Sequence, residues 1–288
     1  CAISVIDSNR AANRSTLDIG PGLDGTWSMI METMPPMPER DQCVVDALLE
    51  KWSRERPDDV FLLFEDDTSC TFAEAHLYTR RAAAGLQDLG VGSGSHVLCW
   101  LPNCREAILT WFGANYLGAT FVPVNTAYRG RLLEHVIALS DTKVLVAHSD
   151  LFTRLDDIET ATLSDIVVVG NEYSPAPGIN YHSAEILHSG NQADAKNTVQ
   201  PWDTNYIIFT SGTTGPSKAV RFTYIQTWSG AAEAMFYFKQ EDRLLANLPL
   251  FHVSGTGAIM DRIIKGGSAA LVEGFHPSKF WDTVRRFE

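Results

Sequence analysis

The chain has 288 residues, 45% of them hydrophobic and 20% charged, and its 23 Lys and Arg against 35 Asp and Glu give a net charge of −12. The apolar fraction excludes intrinsic disorder as a general description and is enough for one large domain or two ordinary ones. The acidic balance excludes a general binder of nucleic acid or anionic membranes, although positive groups concentrated at one site could still hold an anionic ligand.

The first regular elements are predicted from local helix signals. Residues 1–40 contain glycine and proline clusters and are expected to form an irregular lead-in on the surface. A helix should follow, with Asp41 as its cap, an apolar face that includes Leu48 and Trp52, and Pro57 as its stop. Thr71 and Glu74 have the spacing of a capping box, which predicts a second helix that ends at Gly90.

Short apolar runs then alternate with helical patterns up to residue 169. The predicted strands are Val60–Phe64, His96–Leu101, Thr120–Val124, Lys143–Ala147 and Asp165–Val169. Further helices are predicted near 105–117, 130–139 and 150–160. This alternation predicts an α/β fold, a layered α/β/α arrangement in which mostly parallel sheets are covered on both faces.

A second α/β unit is predicted after a connection. Residues 170–200 are polar, rich in Gly, Pro and Asn, and without periodicity. Beyond them the predicted strands are Tyr206–Phe209, Ala219–Thr223, Leu244–Leu248 and Ala269–Val272, and the predicted helices are Ile225–Phe238, 256–265 and one from Ser278. We therefore expect a lead-in at 1–40, a first α/β subdomain at 41–200, and the start of a second at 201–288.

The cysteines indicate the compartment. Their number is odd and their spacing is scattered, which is not a disulfide framework. They are Cys1, Cys43, Cys70, Cys99 and Cys104. Reduced, buried thiols in a cytoplasmic protein are expected. No apolar stretch reaches the roughly 18 residues of a membrane-spanning helix, so none is expected.

One loop has the composition of a phosphate-binding site. The apolar run Tyr206–Phe209 leads into Thr210–Lys218, where Gly212 and Gly215 allow sharp turns and Lys218 adds a positive charge. The loop also carries hydroxyl donors on Thr210, Ser211, Thr213 and Thr214. It is not a Walker A loop, because Ser217 precedes the lysine and a strand-like run follows it. A Gly/Ser/Thr-rich surface turn between two strands is the alternative.

These residues also carry a family resemblance. Thr210–Lys218 reads TSGTTGPSK and closely resembles the phosphate-binding signature of the adenylate-forming superfamily, which includes acyl- and aryl-CoA ligases, peptide-synthetase adenylation domains and luciferases. Leu248–Gly255, LPLFHVSG, is similar to the family's second landmark, and Leu117–Asn125, LGATFVPVN, to its N-terminal region. The similarity covers about residues 41–288. Within the family, the sequence most resembles the carnitine/crotonobetaine- and medium-chain acyl-CoA ligases.

The resemblance implies a two-step ligase. A small carboxylic acid and ATP would give an acyl-adenylate and pyrophosphate, and coenzyme A would then displace AMP to form a thioester. The loop would hold the β- and γ-phosphates through Thr210, Ser211, Gly212, Thr213, Thr214, Gly215 and Lys218. Mg²⁺ is expected with the ATP. A homodimer is compatible with the family, although no segment of the sequence specifies an interface.

His252 has two interpretations. The resemblance makes it a catalytic pocket residue that donates a hydrogen bond near the carboxylate and α-phosphate. Otherwise it is a structural histidine that caps a helix or packs after Pro249. It is not expected to bind a metal, because no second His or carboxylate stands at a ligand spacing.

The neighbours of His252 are open to similar alternatives. Phe251, Val253 and Gly255 would line the acyl pocket or simply belong to the core. Ser254 lacks the Gly-x-Ser-x-Gly context of a hydrolase nucleophile. Arg221 is expected to be an exposed strand residue rather than a second phosphate contact.

The sequence departs from the family pattern in two ways. Ala219 stands where the family commonly has glycine, and the chain contains neither a Tyr-Gly pair nor a Thr-Gly-Asp segment. We therefore expect a truncated N-terminal part that lacks the C-terminal domain and is inactive alone. The alternatives are a non-catalytic nucleotide- or acyl-binding fragment and an adenylation domain that loads a carrier protein.

Overall fold

The secondary structure alternates between strands and helices, as the apolar runs predict. A computed structural model describes residues 37–160, 162–171, 178–188, 190–194, 199–210 and 217–288. Its strands are β1 (Val60–Phe64), β2 (Ser69–Thr71), β3 (His96–Trp100), β4 (Thr120–Pro123), β5 (Val144–His148), β6 (Asp165–Val169), β7 (Asn180–Ser183), β8 (Thr204–Thr210), β9 (Lys218–Thr223), β10 (Arg243–Ala246) and β11 (Ser268–Leu271).

The helices fill the intervals between the strands. They are α1 (Arg40–Cys43), α2 (Val45–Glu55), α3 (Phe72–Asp88), α4 (Arg105–Tyr116), α5 (Gly130–Ser140), α6 (Tyr224–Ser229), α7 (Val253–Lys265) and α8 (Phe280–Arg286). Shorter 3₁₀ segments are Ser149–Arg154, Ala184–His188 and Pro277–Lys279, and Gly230–Ala234 is a π-helical turn.

The described strands form two sheets, and neither sheet follows chain order. The larger has seven strands in the order β7-β6-β5-β3-β4-β8-β9, and only its β8–β9 pair is antiparallel. The smaller has the order β10-β11-β1-β2, in which only β1–β2 is antiparallel. The predicted α/β class with mostly parallel sheets is confirmed. Each sheet takes strands from both sides of residue 200, so the subdomain boundary there stays a prediction.

The larger sheet is covered on both faces, which explains why its inner strands, unlike the edge strands β7 and β9, are nearly continuous apolar runs. Val97 and Val146 face a core shared with α3, α4 and the smaller sheet. Leu98 and Leu145 face the opposite core, which α5 covers with Leu133. The parallel strands of each sheet thus end next to a well-packed core. The carboxyl ends of such strands are the usual place for a ligand site in α/β folds.

Local signals predicted some elements correctly and others wrongly. The capping box is confirmed, because Glu74 N donates to the Thr71 hydroxyl at 3.2 Å and Thr71 N donates to Glu74 Oε2 at 2.9 Å. The helix predicted at Asp41 instead begins after Glu39 and breaks at Val44, whose backbone is extended. Buried Val44 is anchored in the core, and this packing overrides the helical periodicity.

Three other predictions need correction. The helix predicted at 150–160 is only the 3₁₀ segment Ser149–Arg154, because its polar continuation has few apolar side chains to bury. The α-helix predicted to reach Phe238 ends at Ser229 and changes to a π-turn at Gly230, a residue that weakens α-helices. The segment 170–200, predicted to be an irregular connection, contains β7. This is an edge strand whose partly exposed side chains give no apolar signal in the sequence.

The cysteine thiols are largely enclosed. Cys43, Cys70 and Cys99 are buried, Cys104 is partly buried, and Cys1 lies outside the described residues. Burial raises the pKa of Cys43, Cys70 and Cys104 to about 12. No described helix is long and apolar enough to cross a bilayer.

Candidate active site

The two ends of the predicted phosphate loop meet at the tip of a hairpin. Strands β8 and β9 pair antiparallel, with Thr210 opposite Lys218. The Ser217 hydroxyl donates to the Thr210 carbonyl oxygen at 2.6 Å, and the Thr210 hydroxyl lies 3.5 Å from the Lys218 carbonyl oxygen. These bonds fix where the loop leaves the sheet, with Thr210 and Lys218 both exposed at its edge. The other phosphate contacts predicted in the loop lie outside the described residues; they are Ser211, Gly212, Thr213, Thr214 and Gly215.

Helix α5 supports the tip of this hairpin. His135 Nε2 lies 3.0 Å from the Ser217 carbonyl oxygen. A carbonyl only accepts, so the imidazole Nε2–H is the donor. The bond joins the helix to the residue immediately before Lys218 and restricts the backbone from which the lysine projects.

His252 is the N-cap residue of α7, and it lines the same cavity as Thr210 and Lys218. Its Nδ1 accepts from Ser254 N at 3.2 Å, which caps the helix. In a neutral imidazole this arrangement leaves the proton on Nε2. The side chain is exposed, so the two interpretations of His252 are compatible: Nδ1 caps the helix and Nε2–H is available as a donor.

Gly255 has a packing role rather than a place in the cavity. A Cβ atom there would lie 2.2 Å from the Pro249 carbonyl oxygen and 2.6 Å from that of Leu248. Only glycine therefore lets the first turn of α7 pack directly on the segment that leads to His252.

Asn103 is a buried residue at the site that the sequence did not single out. Its side-chain amide donates to the carbonyl oxygens of Leu248 and Val272, each at 3.0 Å, and its oxygen accepts from Leu250 N at 2.9 Å. Its position three residues after the end of β3 is the available signal, since polar residues at the carboxyl ends of parallel strands are site candidates. Its partners lie 145 or more residues away, so no local pattern identifies them.

The hairpin and the His252 segment enclose one open cavity of ≈ 630 Å³, within the range of small-molecule sites. Its polar wall includes Thr210, Lys218 and His252. The other described residues that line it are Pro123, Asn125, Tyr128, Ile208, Phe209, Val220, Phe222, Phe251 and Val253. Of the two alternatives for Phe251 and Val253, the structure places both side chains at the cavity.

The electrostatic character of the cavity follows from this lining. Among its described residues Lys218 is the only charged side chain, and none is a carboxylate. Elsewhere in the described part of the chain no three His, Cys, Asp or Glu side chains form a group that could hold a metal ion. A cation and a hydrogen-bond donor facing apolar walls can stabilise negative charge on a bound molecule.

Arg221 lies on β9 and does not contribute its positive charge to the cavity. Its guanidinium donates to the Thr204 hydroxyl on β8, at 3.0 and 2.5 Å. It is exposed and does not line the cavity, as the sequence suggested.

Comparison with known sequences points to one family. Residues 49–288 match the family described as AMP-binding enzyme. A medium/long-chain-fatty-acid–CoA ligase of Mycobacterium tuberculosis is 33% identical over 238 residues, covering 79% of this chain and 38% of the relative. A 4-coumarate–CoA ligase of Pinus taeda is 28% identical over 213 residues, covering 72% of this chain and 39% of the relative. The chain thus spans about two fifths of the length of these curated relatives.

Solved structures share the fold. A long-chain-fatty-acid–CoA ligase from Archaeoglobus fulgidus superposes with a TM-score of 0.76 at 21% identity, covering 88% of this chain and 51% of that structure. An anthranilate CoA ligase in complex with anthranoyl-AMP superposes with a TM-score of 0.75 at 23% identity, covering 89% of this chain and 49% of that structure. At these identities the similarity shows a common architecture of layers and sheets.

Proposed function

The chain belongs to the family of AMP-binding enzymes, and on that premise we propose that the protein is an ATP-dependent ligase that joins a carboxylic acid to coenzyme A. The relatives named above are CoA ligases of fatty acids and of 4-coumarate, which supports this reaction. The observation that carries the proposal is the cavity that Lys218 and His252 line together with mostly apolar side chains.

The proposed reaction has two displacements. A carboxylate oxygen attacks the α-phosphorus of ATP, the bond to the β-phosphate oxygen breaks, and pyrophosphate leaves. The thiolate of coenzyme A then attacks the acyl carbon, and AMP leaves as the thioester forms. In both steps negative charge develops on oxygens that hydrogen-bond donors and cations can stabilise.

The described side chains suit the first step. We assign the Lys218 ammonium and the Thr210 hydroxyl to the β- and γ-phosphates, together with the backbone and hydroxyl donors predicted at 211–215. His252 Nε2–H is assigned to the oxygens of the carboxylate and α-phosphate, with Nδ1 kept in the helix cap. The hairpin bonds at Ser217 support Lys218 in this role, because they hold its backbone in place.

The apolar walls favour an organic acid with an apolar body. Phe209, Phe222 and Phe251 offer aromatic surface to such a group. Fatty acids and 4-coumarate, the acids named for the relatives, both have this character. Because the described lining contains no carboxylate, we assign no Mg²⁺ ligand within it, and Mg²⁺ would come bound to the phosphates of ATP.

The test is carboxylate-dependent exchange of labelled pyrophosphate into ATP by the full-length protein, with fatty acids of several lengths and 4-coumarate. We expect exchange only when an accepted acid is present, and an acyl-CoA product by mass spectrometry after coenzyme A is added. Binding of ATP without exchange would favour a non-catalytic nucleotide-binding protein. Exchange without thioester formation from coenzyme A would favour loading of a carrier protein.

A further inference from the structure

Asn103 uses its whole amide group inside the protein. The residue is 8% exposed, and its three hydrogen bonds all go to backbone atoms of distant segments. Both N–H bonds of the amide can be used in this way, one toward Leu248 and one toward Val272, while Leu250 N donates to its oxygen. An apolar side chain here would leave these three backbone groups without this partner, and Leu250 and Val272 are themselves buried.

The hydrogen bonds of Asn103 join segments of the two sheets. Asn103 follows β3 of the larger sheet, Leu248 follows β10 of the smaller sheet, and Val272 follows β11. The amide therefore connects the carboxyl ends of both sheets. This junction is where the cavity lies, since Lys218 belongs to the larger sheet and His252 comes after β10.

The chain between Asn103's partners and His252 is short and stiff. Leu250 is two residues before His252, and His252 N donates to the Pro249 carbonyl oxygen at 3.0 Å. Gly255 packs against the carbonyl groups of Leu248 and Pro249. A shift of the bonded segment at Leu248–Leu250 would therefore be passed directly to the imidazole.

We propose that Asn103 is a positioning residue for adenylation, which holds the segment before His252 in register with the hairpin that carries Lys218. The inference rests on the proposed function and extends it to a residue outside the cavity lining. Asn103 touches neither phosphate nor acid in this account; it acts by fixing the distance between the two groups that do. Misplacement of a catalytic group by about 1 Å can cost on the order of 10²-fold in rate.

The chain offers a matched control in Asn115. This residue is also buried, at 1% exposed, and donates to the carbonyl oxygens of Ala119 at 3.2 Å and Asn205 at 3.0 Å. Asn205 is near the start of β8, at the end of that strand remote from Thr210. Asn115→Ala thus removes a comparable buried amide without touching the segment before His252.

The experiment compares full-length Asn103→Ala and Asn115→Ala with wild type in carboxylate-dependent pyrophosphate exchange, below the melting temperature of every variant. We expect Asn103→Ala to lower kcat at least about tenfold further than Asn115→Ala, with KM for ATP changed less than about threefold. Asn103→Ser, which is also unable to make the three bonds, takes the place of Asn103→Ala if the latter does not fold.

A double-mutant cycle shows whether Asn103 acts through the histidine. In a His252→Ala background, Asn103→Ala should cost less than about threefold, because the group that it positions is gone. An equal loss in both backgrounds, or a loss no larger than that of Asn115→Ala, would overturn the inference while leaving the ligase function standing. Absence of exchange by wild type with every acid would overturn the proposed function and this inference with it.

Discussion

At the scale of single residues, His252 shows how one side chain meets two requirements. Its Nδ1 caps α7 through Ser254 N, and this bond fixes the tautomer that leaves Nε2–H available. From the sequence, His252 could be interpreted either as a helix cap or as a pocket residue. The two interpretations are compatible because each role uses a different ring nitrogen.

Two substitutions separate these roles. Asn is a favoured N-cap and should preserve the helix start, whereas Ala should lower the free energy of unfolding by about 1 kcal/mol. Both remove the Nε2–H donor, so we expect pyrophosphate exchange by both His252→Asn and His252→Ala to fall on the order of 10²-fold. Exchange kinetics and urea denaturation measure the two effects. A wild-type rate in a folded His252→Asn variant would show that the donor has no part in adenylation.

The thiols provide a second prediction at this scale. Burial raises the pKa of Cys43, Cys70 and Cys104 to about 12, above the value of 9.0 for an exposed thiol. The folded protein therefore keeps these protons when an unfolded chain would lose them, and stability from these groups should fall as pH rises above about 9. We expect iodoacetamide to modify them slowly at pH 8, with labelling that rises only through the urea unfolding transition. Rapid labelling of the native protein, mapped by mass spectrometry to these three sites, would contradict the burial described here.

At the scale of elements, α7 depends on a close approach that only glycine allows. The sequence left Gly255 as either an acyl-pocket or a core residue, and the structure packs it against Pro249 and Leu248, a contact that no sequence periodicity could reveal. By contrast, the α3 capping box was predictable because Thr71 and Glu74 are three residues apart and its two hydrogen bonds join only these residues.

Gly255→Ala and Gly257→Ala form a matched pair on this helix. The Cβ of the first would lie 2.2 Å from the Pro249 carbonyl oxygen, while that of the second would have no described atom nearer than 3.9 Å. We expect Gly255→Ala to lower the free energy of unfolding by about 1–3 kcal/mol through overpacking. Gly257→Ala should be neutral or more stable by about 0.5–1 kcal/mol, because alanine favours helix. Equal unfolding midpoints in urea would argue against the tight packing at Gly255.

At the scale of the whole molecule, the candidate site is assembled from two sheets whose strands are far apart in sequence. Alternating apolar runs predicted the α/β class, and the composition of Thr210–Lys218 drew attention to one loop. The pairing of β1 with β11, and the reach of Asn103 to Leu248, depend on tertiary packing that local patterns do not encode. The edge strand β7 was missed for a related reason, since its partly exposed side chains resemble those of a polar connection.

Pyrophosphate exchange by full-length Lys218→Ala, with Lys143→Ala as its control, shows whether this cavity binds the phosphates of ATP. Lys143 is exposed just before β5, at the amino-terminal end of the parallel strands, whereas the hairpin tip follows the carboxyl end of β8. If the hairpin holds the phosphates of ATP, Lys218→Ala should lower exchange on the order of 10²-fold while Lys143→Ala stays near wild type. A folded Lys218→Ala variant that exchanges at the wild-type rate would contradict the assignment of this cavity as the adenylation site.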